Sequence, residues 1–255
     1  MPDRASQRLK FWAALPFVLP QALAVRHTAR RFAGADGPSE GLVPAALTSG
    51  STPARRVRLL GIGDSIVAGV GASSTEKAFV GQTARALSEL FTASVHWQAL
   101  GKSGYNVDQV LRGLMPLLHK QNAQAFDVII MSVGVNDVTS MTTTRTFRRA
   151  LTLLLEALHE HSPNAVILLC GLPPMRKFPL LPEPLRAVMG LRAEILDRTA
   201  NRVIQRLPFA IHAQLNFDPM PSQFCEDGYH PNEASYAELG AYMAEWIVTR
   251  LKDPA

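Results

Sequence analysis

Residues 57–66 read Val57-Arg58-Leu59-Leu60-Gly61-Ile62-Gly63-Asp64-Ser65-Ile66, a short apolar run that stops in a glycine-flanked turn carrying a serine. A run of this length bounded by glycine suits a strand buried on both faces. A serine in a tight turn after such a strand can expose its hydroxyl and point its backbone N–H inward, which is what a nucleophile needs. The same serine could instead cap a following helix.

Downstream the pattern recurs. Short apolar runs at residues 94–100, 126–133, 165–170 and 209–212 alternate with helical stretches at 76–91, 106–119, 143–161, 184–207 and 233–251, and Ser162-Pro163-Asn164 marks a helix stop. Five strands alternating with helices predict an α/β protein, a three-layer α/β/α sandwich on a five-stranded parallel sheet of flavodoxin-like type. In such folds the reactive groups gather outside the carboxyl ends of the strands. Function is therefore expected in the loops that follow strands.

After the second run comes Gly101-Lys102-Ser103-Gly104-Tyr105-Asn106, where Gly104 can turn a backbone N–H toward a pocket. Its Gly-Lys-Ser is not a phosphate loop, because the glycine required five residues earlier is His96. After the third run comes Ser132-Val133-Gly134-Val135-Asn136-Asp137. Asn136 could donate to an oxyanion or merely close its own loop as an Asx turn, and Asp137 reads as structural. Before the last helix stands Asp227-Gly228-Tyr229-His230-Pro231-Asn232. Three residues of separation in a turn allow the carboxylate to reach the imidazole Nδ1–H and leave Nε2 free as a base. A helix cap and a surface histidine are the alternative. Histidines 27, 96, 119, 159, 161 and 212 lack any such companion and read as surface or core residues.

These four stretches, in this order, resemble the blocks of the SGNH hydrolases, also called GDSL-like esterases. Gly63-Asp64-Ser65-Ile66 is similar to the first block, Ser103-Gly104-Tyr105-Asn106 to the second, Gly134-Val135-Asn136-Asp137 to the third and Asp227-Gly228-Tyr229-His230 to the last. The resemblance spans about residues 57–250. It implies the SGNH hydrolase fold, Ser65 as nucleophile, His230 as general base and Asp227 as its orienter. It also implies an oxyanion hole made of the Ser65 N–H, the Gly104 N–H and the Asn136 side chain. Two positions depart from the family pattern: Ile66 stands where leucine names the GDSL group, and Asn106 where Thr or Ser is commoner.

The chain of 255 residues carries a net charge of +5, unevenly placed. Residues 1–56 hold eight Lys and Arg against three Asp and Glu, leaving eighteen of each in residues 57–255. A nucleic-acid-binding domain would concentrate its basic residues on the folded part, so no nucleic acid is expected as partner. Residues 1–32 form a basic, apolar leader too short to span a bilayer, 33–54 a linker rich in Gly, Pro, Ser and Ala, and 55–255 the hydrolase domain. The leader suits a signal with Ala22 and Ala24 at a cleavage site, a segment lying on a membrane surface, or one docked on the domain. Cytoplasmic location, with or without peripheral membrane contact through the leader, is favoured over export. The two cysteines, Cys170 and Cys225, form no disulfide framework or zinc spacing; Cys170 is expected in the core and Cys225 nearer the surface.

The expected function is hydrolysis of carboxylic esters of short to medium acyl chain through an acyl-enzyme, with no metal and no cofactor. Thioesterase or lysophospholipase activity and sugar deacetylation are alternatives on the same fold, and a non-catalytic binding domain is the alternative of another class. The proline-rich stretch after the fourth run, residues 172–182, reads as an acyl wall or lid or as an ordinary stiff loop, with Val135, Pro173 and Phe178 as substrate contacts. Because a base must be neutral, activity is expected to fall as pH drops through the ordinary histidine range.

Overall fold

Neighbours in sequence point to opposite faces of the central sheet: Leu60, Ile129 and Leu169 pack into one core, and Leu59, Ile130 and Leu168 into the other. Side chains alternate along a strand, so an unbroken apolar run serves two helical layers at once. The computed structural model describes residues 18, 20–25, 27, 32–45, 56–120, 124–215 and 218–252. Its strands are Glu40–Val43 (β1), Arg56–Gly63 (β2), Ser94–Gly101 (β3), Val128–Ser132 (β4), Val166–Cys170 (β5) and Ala210–Ala213 (β6). The helices are Phe79–Phe91 (α1), Val107–Gly113 (α2), Met115–Lys120 (α3), Val135–Thr139 (α4), Thr144–His161 (α5), Leu185–Ile204 (α6) and Glu233–Lys252 (α7). Helices α2, α3, α5 and α6 cover one face; α1 and α7 cover the other.

The strand order is β1-β3-β2-β4-β5-β6, and β3 to β6 all run parallel. The five expected strands thus form the expected sheet in flavodoxin-like order, within a mixed sheet of six. The sixth strand comes from the segment read as a linker, where β1 pairs antiparallel with β3, Glu40 opposite Gln98 and Val43 opposite Val95. Gly41 permits this pairing because a Cβ there would lie 2.6 Å from the Trp97 ring. Flanking residues follow the domain too: the Ala35 N–H donates to the Ala68 carbonyl at 2.9 Å and the Thr75 N–H to the Asp36 carbonyl at 2.9 Å. Residues 32–45 are therefore part of the domain surface. A four-residue strand in a Gly- and Pro-rich context carries almost no periodic signal, which is why it read as linker.

The stretch read as one helix over 106–119 divides at Leu114 into α2 and α3. Pro116 has no N–H for the preceding turn and its ring would meet the Arg112 carbonyl, so a continuous helix is excluded there. At the start of α2, Asn106 accepts from the Gln109 N–H at 3.0 Å while the Gln109 side chain accepts from the Asn106 N–H at 3.0 Å. This reciprocal cap explains why Asn serves where Ser or Thr is commoner, since all three cap helices.

Of the leader, residues 20–25 are helical and dock beside the start of α6. Gln21 donates to the Glu183 carbonyl and accepts from the Leu185 N–H, and Val18 is buried in the core to which α6 contributes. Among the described residues no helix is long and apolar enough to cross a membrane. The leader's basic residues at 4, 8, 10, 30 and 31 lie outside the described residues.

Candidate active site

Strand register brings three loops to one place. Gly63, the last residue of β2, pairs with Gly101 of β3 on one side and Ser132 of β4 on the other. The Asp64 N–H donates to the Ser132 carbonyl at 3.0 Å and the Lys102 N–H to the Gly63 carbonyl at 3.0 Å. Only glycine fits at 63: a Cβ would sit 2.0 Å from the Ser132 carbonyl oxygen. The chain then turns sharply, and Ser65 is the first residue free of the sheet.

The Ser65 hydroxyl caps no helix; its Oγ lies 2.9 Å from His230 Nε2. On the other side of the ring, His230 Nδ1 is 2.6 Å from Asp227 Oδ2. An ionised carboxylate only accepts, so the Nδ1 proton points to Asp227 and Nε2 faces the serine as an acceptor. The second carboxylate oxygen, Asp227 Oδ1, accepts the Tyr229 N–H at 2.8 Å, the His230 N–H at 2.9 Å and the Cys225 thiol at 3.1 Å. Burial alone would raise the Asp227 carboxyl, but the hydrogen bonds from His230 and Cys225 hold it well below the usual carboxylate range. The thiol can donate because burial pushes Cys225 up to about 11. The Asp227–His230 pair thus lies against Ser65.

Asp64, the neighbour of Ser65, was not singled out from the sequence. It is fully buried, with Oδ1 accepting from the Ile66 N–H at 3.1 Å and the Ser132 hydroxyl at 3.2 Å. Burial pushes it up to about 6, against those hydrogen bonds and the nearby His230. It ties the turn of Ser65 to the end of β4. Asp137 is structural as expected: its Oδ2 accepts the Val107 N–H at 3.0 Å and so anchors the start of α2.

Asn136 sits in the first turn of α4 and donates its amide to the Tyr105 carbonyl at 2.9 Å, binding the loop after β4 to the loop after β3 instead of closing its own turn. Gly104 has φ +83°, a conformation that glycine adopts without strain. Among the described residues nothing accepts from the backbone N–H of Ser65 or of Gly104.

A model of the GDSL-like lipase/acylhydrolase family matches residues 62–238, most of the domain. The chain belongs to this family. The fold is shared with a family 3 carbohydrate esterase of Clostridium thermocellum (16% identity, 78% of this chain and 98% of that one, TM-score 0.58). It is also shared with the psychrotrophic esterase EstA of Pseudoalteromonas (17%, 77% and 99%, 0.57) and with a lipase from a goat rumen metagenome (19%, 74% and 96%, 0.56). Comparison with curated protein sequences finds no match.

In this GDSL-like hydrolase, Ser65 and His230 open onto a cavity of about 580 Å³. Val135, Pro173 and Phe178 line it, whereas Gly104 and Asn136 are not among its lining residues. The stretch 172–182 is an anchored wall: Met175, Phe178 and Leu181 are buried, and Phe178 packs edge-on against Phe224 and Tyr229. The opposite wall comes from Leu215, Asp218, Pro219, Met220, Gln223 and Phe224 and from Ser235, Glu238, Leu239 and Tyr242 of α7. Their spacing of three and four marks one face of a helix, a signal present in the sequence; what that face meets is not. Cys170 is buried as expected and closes part of the inner end.

One of the histidines read as lacking an acidic companion has one in the fold. His212 does have an acidic companion, with Nε2 2.9 Å from Asp197 Oδ1, which also accepts the Leu172 N–H. The partner lies fifteen residues away on α6, so only the packing of α6 against β6 brings them together. Among the described residues no cluster of His, Cys, Asp and Glu could hold a metal ion.

Proposed function

We propose that this chain is a serine esterase that hydrolyses carboxylic esters of short to medium acyl chain through an acyl-enzyme. The observation that carries the reading is the unbroken contact Asp227–His230–Ser65, at 2.6 and 2.9 Å, at the edge of an apolar cavity. His230 Nε2 takes the Ser65 proton as Oγ attacks the ester carbonyl, and Asp227 stabilises the imidazolium. The tetrahedral oxyanion is held by the Ser65 N–H, the Gly104 N–H and the Asn136 amide, donors that act most strongly on charge developing in the transition state. His230 returns the proton to the departing alcohol. Water, activated by the same nitrogen, then attacks the acyl-enzyme and releases the acid.

Deacetylation of a carbohydrate is the second reading, favoured by the likeness to a carbohydrate esterase. An acetyl group needs little of a 580 Å³ cavity lined by Leu172, Phe178, Leu215 and Leu239, so the lining supports longer acyl chains. A series of chromogenic esters of rising chain length tests both: activity that peaks beyond acetate supports the first, and activity confined to acetyl esters the second. Ser65→Ala should abolish turnover and labelling by a fluorophosphonate with folding intact. Wild-type rates in that variant, or a wild-type protein inert to the probe and to every ester, would leave only a binding domain.

A further inference from the structure

Two acid-free stretches of the chain meet on the surface far from Ser65 in sequence. No Asp or Glu occurs between Asp137 and Glu156, nor between Asp197 and Asp218. The first stretch forms the outer start of α5 and the second the outer end of α6, and between them lies a groove of about 810 Å³. Arg145, Arg148 and Arg149 line it from α5, Arg202 and Arg206 from α6, with Thr144, Thr152 and Thr199 between them. The neutral total of residues 57–255 conceals this concentration.

Arginines on a helix surface ordinarily find carboxylates at neighbouring turns, as Arg112 does with Asp108 on α2. Here Arg145, Arg148, Arg149 and Arg206 form no ion pair among the described residues, although all four are exposed. Their placement is also electrostatically unfavourable: α5 has no acid in its first turn and carries Arg145 and Arg148 near its positive end. Solvent and counterions screen part of this cost, and an anion bound between the helices would relieve more of it. The Thr152 and Thr199 hydroxyls donate to carbonyls of their own helices, Arg148 and Ile195, so the groove's anion-binding groups are its guanidinium forks, whose geometry matches phosphate oxygens two at a time.

We propose that the α5/α6 groove binds a ligand bearing clustered phosphate groups, a second site separate from the ester-hydrolysing one. The same chemistry is found on an anionic phospholipid surface and on a soluble polyphosphate, and the probes distinguish them. Tripolyphosphate at low salt should raise the unfolding temperature of the full chain, with an affinity that falls as salt rises. The triple variant R148E/R149E/R206E should weaken this binding by at least about tenfold, while leaving ester turnover and its own unfolding temperature without ligand at wild-type values. Arg148→Lys with Arg149→Lys, which keeps charge but removes the forks, should fall between the two.

Sedimentation with phosphatidylcholine vesicles, with and without phosphatidylglycerol, identifies the source. Retention on the anionic vesicles that the triple variant reduces assigns a lipid headgroup; tripolyphosphate binding with equal vesicle retention in both proteins assigns a soluble ligand. The proposal is overturned if neither probe binds, or if charge reversal leaves binding unchanged. Tighter binding of oligoglutamate or a DNA duplex than of tripolyphosphate also overturns it.

Discussion

At the scale of single residues, two buried acids around Ser65 respond oppositely to pH. Asp64 is held at about 6 when folded, above its ordinary 3.8, so folding is favoured while it stays protonated and that advantage disappears as pH rises from about 4 through about 6. The ionised form costs about 3 kcal/mol relative to a free carboxyl. Unfolding by urea should therefore show wild type weakening across this range, and Asp64→Asn should flatten that change; parallel curves would contradict the assignment. Asp227 has the reverse sign, since its carboxyl is depressed in the fold: its contribution is present above the ordinary carboxylate range and vanishes as the pH falls through the folded value. Asn136 joins two loops through Tyr105 and is the side-chain donor of the proposed oxyanion hole. Asn136→Ala should lower kcat by an amount equivalent to about 2.7–4 kcal/mol of barrier, with a smaller effect on KM. A change in KM alone would assign Asn136 to binding.

At the scale of elements, the loop after β5 does two jobs with one ring. Phe178 lines the cavity and packs on Tyr229 between Asp227 and His230, while the Leu180 N–H donates to the Gly228 carbonyl at 3.0 Å. Wall and triad loop are thus one packed unit. Phe178→Ala should cost about 3–5 kcal/mol of stability and lower turnover of all esters, not only long ones. Loss confined to long-chain esters would mean the ring shapes the cavity without supporting His230. The prolines from 173 to 182 are legible as stiffening, but that this stiffness supports the catalytic loop is not, because Phe178 and Tyr229 are distant in the chain.

Over the whole molecule, the edge of the sheet decides where the domain begins. β1 covers the outer edge of β3, which would otherwise present unpaired backbone groups to solvent. Truncation to residues 55–255 removes this cover and should lower stability relative to truncation to residues 32–255. The loss should be roughly 0.5–1.5 kcal/mol for each hydrogen bond to the removed segment. Equal unfolding curves for the two would show that β1 contributes nothing. Charge shows the same dependence on scale: eighteen acids and eighteen bases in residues 57–255 sum to nothing, yet folding sorts five arginines into one groove.

The amino-acid sequence alone determined the five parallel strands, the order of helices between them, and the four loops carrying Ser65, Gly104, Asn136 and Asp227 with His230. These rest on local signals, apolar runs between glycines and turn residues at fixed spacing, which physical chemistry reads over a few residues at a time. Tertiary structure decided what depends on distant segments meeting. It set the 2.9 Å approach of His230 to Ser65 across 165 positions, the burial of Asp64, and the Asp197–His212 pair. It also added β1 to the sheet and made α7 the far wall of the cavity. Contact distance, burial and the sharing of a groove by two helices are properties of packing, and no stretch of chain contains them by itself.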